Sequence, residues 1–167
     1  MRWISYFILA YLMLGLQIGI ISYVGIGQSG AWPNLVLLAA IWIAINAPRD
    51  AALLGCFGLG LIQDLTSQQT LGVFAFSYGL VAMFTVSTQQ VVYRAHPLTH
   101  FTLALIGSFL AGIVVLIHGF YPGPRVSPMT LFYSSLYTAV LAPLVLGLLG
   151  RVKKLFAFQP IRRKMRI

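Results

Sequence analysis

Acidic side chains are almost missing from this chain. Among 167 residues only Asp50 and Asp64 carry a carboxylate, and charged residues of both signs make up 8%. An average soluble protein has roughly 25%. Thirteen charges cannot coat a water-exposed surface of this size, so a soluble enzyme and a disordered chain are both excluded. Cysteine is as scarce. A single residue, Cys56, permits no intrachain disulfide and no Cys-based metal centre. No HExxH pattern, no Ser-His-acid set, no paired carboxylates and no phosphate-cradling loop occur. The residues supply no catalytic set and imply no cofactor or metal.

What the chain does have is apolar length. Hydrophobic residues make up 59%. A membrane helix needs about 20 of them in succession. Such runs cover residues 4–24, 33–47, 51–65, 71–92, 98–120 and 129–149. The first exceeds the roughly 7–15 residues of a signal-peptide core, so it reads as a retained span. The second and third are short and are joined by Pro48-Arg49-Asp50. A re-entrant hairpin would bury that charged turn, at a few kcal/mol per charge. Two short spans with a snorkelling Arg49 cost less. Pro143 predicts a kink in the last run.

Basic residues number eleven, giving a net charge of +9. Seven lie in the tail, residues 151–167: Arg151, Lys153, Lys154, Arg162, Arg163, Lys164 and Arg166. With six spans and a cytoplasmic N-terminus, the inside segments hold these seven plus Arg2, Arg49 and Arg94. The outside segments hold Arg125 alone. This asymmetry obeys the positive-inside rule and predicts an all-α polytopic membrane protein with both termini cytoplasmic. Residues 1–150 form the helical domain. The tail, with Phe156 and Phe158 between its basic clusters, reads as an anchor on anionic lipid rather than a nucleic-acid site.

Polar and small residues within the spans mark packing. Ala52, Cys56, Gly60 and Asp64 recur every four residues, forming one narrow stripe on a helix that ends in a carboxylate. Small residues at this spacing let a second helix approach closely. The stripe faces either a partner or a sister span. If a partner, Gly60→Leu breaks the complex without preventing insertion. Asp64 serves either as a polar helix stop, with Ser67 and Thr70 forming the turn, or as an acceptor for backbone amides of residues 66–72. Gly15-xxx-Gly19 is a second packing signature, open to an internal contact or a partner helix. Ser77, Thr85 and Thr88 share one face of the fourth span and predict interhelical hydrogen bonds. His96 and His100 lack further ligands, so zinc is not expected. Asp64 and His118 form the one acid–base pair worth naming for a hydrolase.

Pro33-Asn34 opening the second span, followed by Gly60-xxx-Asp64-xx-Ser67-xxxx-Gly72, resembles the rod shape-determining protein MreD family of bacteria. The likeness covers nearly the whole chain in size and span order, and its specific part is residues 33–72. An acid commonly follows that proline in the family, where this chain has Asn34. The resemblance implies a non-enzymatic inner-membrane scaffold of the cell-elongation and peptidoglycan-synthesis machinery. It implies an MreC-like single-span partner with a periplasmic domain. Through that partner it implies links to MreB filaments, a RodA-type glycosyltransferase and its class B penicillin-binding transpeptidase. It also implies a fold similar to the S components of energy-coupling-factor transporters. The alternative function is therefore a vitamin-binding transporter subunit, with Ser67, Gln68, Gln69, Ser77 and Tyr78 as ligand groups.

Overall fold

The computed structural model describes residues 3–19, 31–67, 70–88, 97–119 and 127–151. These form six helices: α1 (Trp3–Gly19), α2 (Leu35–Asn46), α3 (Arg49–Thr66), α4 (Val73–Thr88), α5 (Pro97–His118) and α6 (Pro128–Arg151). No extended strand occurs among the described residues. The apolar runs and the helices coincide to within a few residues. Residues 20–24 and 89–92, the histidine pair's His96, Arg94, Arg125 and the tail beyond Arg151 lie outside the described residues.

α5 and α6 are long and apolar enough to cross a bilayer. At 1.5 Å per residue, their 22 and 24 residues rise about 33 and 36 Å. α6 runs through Pro143 as one helix. α2, with 12 residues, rises only about 18 Å. Its placement explains how it can be so short. Every residue from Leu35 to Ile45 is buried, and α2 packs against all five other helices. A helix apolar on every side belongs at the centre of a bundle. There its length is matched to protein neighbours rather than to lipid.

Around α2 the outer helices bury one face and expose the other. On α3 the buried face carries Ala52, Cys56, Leu59, Gly60, Gln63 and Asp64. The opposite face shows Leu54, Phe57, Leu61 and Leu65. α1 likewise exposes Ile4, Phe7, Ile8 and Tyr11. Soluble monomers rarely expose contiguous apolar patches beyond a few hundred Å². The charged residues among those described are Arg49, Asp50, Asp64 and Arg151. Such a surface suits hydrocarbon.

Arg49 and Asp50 sit in the first turn of α3 rather than in the preceding turn. There the Asp50 carboxylate complements the positive end of the helix dipole. The α2–α3 junction is only Ala47-Pro48, and the Ala47 amide closes α2 on Ile43 O at 2.8 Å. Two side-chain bonds lock this side of the bundle. Tyr6 OH donates to Gly55 O at 2.7 Å, tying α1 to α3. Cys56 Sγ donates to Ala40 O at 3.1 Å, tying α3 to α2.

Candidate functional site

The first four amides of a helix have no partner within it. In an apolar bundle they must find one elsewhere. At the end of the bundle opposite Arg49, the N-termini of α2 and α4 are satisfied by side chains of other elements, and this builds the polar centre of the molecule.

For α4 the acceptor is Asp64, 2% exposed at the C-terminal end of α3. Its Oδ2 accepts from Gly72 N at 3.0 Å and Ala75 N at 3.0 Å, and its Oδ1 from Phe74 N at 2.9 Å. A carboxylate receiving three amides at a helix N-terminus gains both charge-assisted hydrogen bonds and the dipole. Gly60 lies one turn earlier on α3. A Cβ there would sit 2.5 Å from Phe74 O and 2.6 Å from Ala75 N. Only a bare backbone lets the turn that feeds Asp64 come this close. Gly72, which begins the turn, has φ +103°, in the left-handed region that glycine favours. Ser67 closes α3, its amide donating to Gln63 O at 2.9 Å and its hydroxyl to Asp64 O at 3.3 Å. The Gly-Asp-Ser-Gly spacing is thus one joint between two helices.

For α2 the cap is Asn34, whose Oδ1 accepts from Leu37 N at 2.9 Å. Gln17 Oε1 of α1 accepts from Val36 N at 3.1 Å. Asn34 N donates to Thr138 Oγ1 of α6 at 3.0 Å, and Asn34 Nδ2 lies 2.8 Å from Tyr78 OH of α4. Asn34 therefore joins α2, α4 and α6. Pro33, immediately before it, is fully buried.

Between these joints lies a cleft of about 470 Å³ to which all six helices contribute. Odd-numbered helices line it with their C-terminal halves and even-numbered ones with their N-terminal halves, the arrangement of an antiparallel up-and-down bundle. Its polar lining includes Gln17, Asn34, Gln63, Ser67, Ser134 and Thr138.

Several expectations change in position. Asp64 does accept a backbone amide from the expected 66–72 segment, that of Gly72, and two more from beyond it, those of Phe74 and Ala75. The stripe of Ala52, Cys56, Gly60 and Asp64 is buried against sister helices. Gly60→Leu therefore disturbs the bundle itself and cannot isolate partner binding. Gly15 and Gly19 are exposed, and a Cβ added at either meets nothing within 4 Å. Ser77 and Thr88 bond back to Val73 O and Phe84 O of their own helix instead of crossing to another. In an apolar helix the carbonyl four residues back is the nearest acceptor. Buried Thr85 Oγ1 has no hydrogen-bond partner. Of the proposed ligand groups, Ser67 lines the cleft. Tyr78 is buried on Asn34, and Gln68 and Gln69 lie outside the described residues.

His118 Nε2 pairs with Thr70 Oγ1. Asp64 and His118 therefore engage different groups, and no hydrogen bond joins them among the described residues. Thr138 and Gln63 were not singled out from the sequence. Gln17 and Gln63 carried a legible signal, since uncharged amides are costly in hydrocarbon unless paired. Thr138 carried none.

A helical bundle with an apolar exterior and polar side chains that cap its own helices has the make-up of a helical membrane protein. The chain matches the family model described as rod shape-determining protein MreD over residues 1–152. It belongs to that family, a bacterial membrane-protein family of cell-shape determination. No curated protein and no solved structure matches it.

Proposed function

We propose that the chain is a non-enzymatic, multi-pass scaffold of the inner membrane that holds the single membrane helix of an MreC-like partner. It has six spans with both termini cytoplasmic. Through that partner it connects to a RodA-type glycosyltransferase, its class B transpeptidase and, indirectly, MreB filaments. The carrying observation is the family match across residues 1–152. The topology is supported by the ten-to-one distribution of basic residues and by the up-and-down lining of the cleft. The basic tail then rests on anionic lipid.

Association within a membrane lacks a strong hydrophobic drive, so close packing of small residues must supply it. The α3 stripe is already used inside the bundle. Gly15 and Gly19 on α1 are open, and α1 contacts only α2 and α3 among the described helices. We place the partner helix on this face of α1. Co-purification from membranes with the MreC-like partner tests both levels. Gly15→Leu/Gly19→Leu reduces recovery of the partner at least tenfold while the melting temperature in detergent is retained. Unchanged recovery refutes the α1 face. Failure of the wild-type chain to recover the partner refutes the scaffold.

A further inference from the structure

Of the three side-chain amides lining the cleft, Gln17 and Asn34 are committed to the N-terminal amides of α2. Gln63 is the exception. It is 9% exposed, it lines the cleft, and its Oε1 has no hydrogen-bond partner. A buried acceptor left unpaired costs about 1–3 kcal/mol. The opposite side of α3 faces the apolar exterior, so turning Gln63 away offers no remedy. A donor arriving in the cleft does.

The remaining lining defines what that donor belongs to. None of the residues lining the cleft is ionisable, so a charged ligand would be desolvated without a counter-charge. Trp32 and Phe74 supply aromatic surface, and Ser67 and Ser134, whose hydroxyl hydrogens are donated to backbone carbonyls, supply oxygen lone pairs that accept further hydrogen bonds. The volume of about 470 Å³ falls in the range of small-molecule sites, ~300–1,000 Å³. We propose that this cleft is a binding site for a neutral, hydroxyl-rich molecule of sugar type, with a ligand O–H or N–H donating to Gln63 Oε1. The same chemistry is offered by a free sugar and by the uncharged sugar headgroup of a glycolipid. The site is independent of the partner helix on α1, and its failure would leave that reading intact.

The test uses the full chain in lipid nanodiscs. N-acetylglucosamine is titrated as the free probe, and glucosyl diacylglycerol is included in the bilayer as the lipid-borne one. Binding is read by saturation-transfer NMR on the probes and by tryptophan emission, to which Trp32 contributes. Glucuronate and glucosamine are the charged comparators. Saturable binding of at least one neutral probe is expected, at least tenfold tighter than either charged sugar. Binding by the free probe alone assigns a solute site, and binding by the lipid alone assigns a headgroup site. Gln63→Met keeps the shape and removes the acceptor. It is expected to weaken the neutral probe at least tenfold while melting no lower than wild type. Gln63→Glu is expected to reverse the preference towards glucosamine. No saturable binding of either neutral probe, equal binding of charged sugars by the wild type, or undiminished binding by Gln63→Met overturns the proposal.

Discussion

The small residues four apart on α3 and those on α1 have opposite fates. On α3, Ala52, Cys56 and Gly60 are buried against α2 and α4. On α1, Gly15 and Gly19 are exposed, with open space where a side chain would stand. The spacing is the same, so spacing does not decide which helix approaches. What differs is the end of the row. The α3 stripe runs into Asp64, a carboxylate that membrane interiors tolerate only with partners. The α4 amides provide them and draw α4 onto Gly60. The α1 row carries no carboxylate, and it is open at Gly15 and Gly19.

If the carboxylate is what separates the two rows, its removal should have the largest effect. Asp64→Leu leaves the amides of Gly72, Phe74 and Ala75 without their acceptor. At about 1–3 kcal/mol for each orphaned buried group, the expected loss is about 3 kcal/mol or more, enough to deplete folded protein in detergent. Asp64→Asn keeps one acceptor oxygen and should lose roughly half as much, since hydrogen bonds to charged groups are worth about twice neutral ones. Denaturant unfolding of purified protein measures both. Equal stability of wild type and Asp64→Leu would dissolve the distinction between the rows.

The next contrast needs only one methyl group. Gly60→Ala puts a Cβ against the backbone of Phe74 and Ala75, which cannot move aside as a side-chain tip would. Overpacking of this kind costs about 1–3 kcal/mol. Gly15→Ala meets nothing and should stabilise the chain by about 0.5–1 kcal/mol, the advantage of alanine over glycine within a helix. The two substitutions are chemically identical and should move the unfolding midpoint in opposite directions.

Much of this architecture was open to reading in the chain, for physical reasons that also set the limits. The six helices follow from apolar length, and the only misplacement of note is Arg49-Asp50, read as a turn and found as the first turn of α3. Propensity at a helix start is weak, and the tight Ala47-Pro48 junction decides it. The Gly60–Asp64–Gly72 motif was visible as a unit because a carboxylate is unusual in a membrane span and its spacing from the glycines resembles that of the MreD family. Its target was not, because the α4 amides are backbone and leave no mark in side-chain identity. The same holds for Thr138, which looks like any span threonine until the Asn34 amide reaches it. Gln63 was visible as a polar residue, but only the three-dimensional lining shows its oxygen unmatched.

The smallest expected effect concerns Asn34, the N-cap of α2. Asp and Asn are comparable N-caps, so Asn34→Asp should still accept from Leu37 N, and the net change in stability should stay below about 1 kcal/mol. The bond to Tyr78 must change in kind. Asn34 offers Tyr78 OH both a donor and an acceptor, at 2.8 and 3.1 Å, whereas a carboxylate offers only acceptors. Tyr78 OH must then donate, in a charge-assisted bond worth about 1.5–3 kcal/mol against about 0.5–1.5 for a neutral one. Tyr78→Phe should therefore destabilise the Asn34→Asp protein by about 1 kcal/mol more than it destabilises the wild type. A double-mutant cycle on unfolding free energies reads this coupling directly. A coupling of zero would mean that Tyr78 is held by its packing alone, and that the amide at Asn34 serves α2 without tying it to α4.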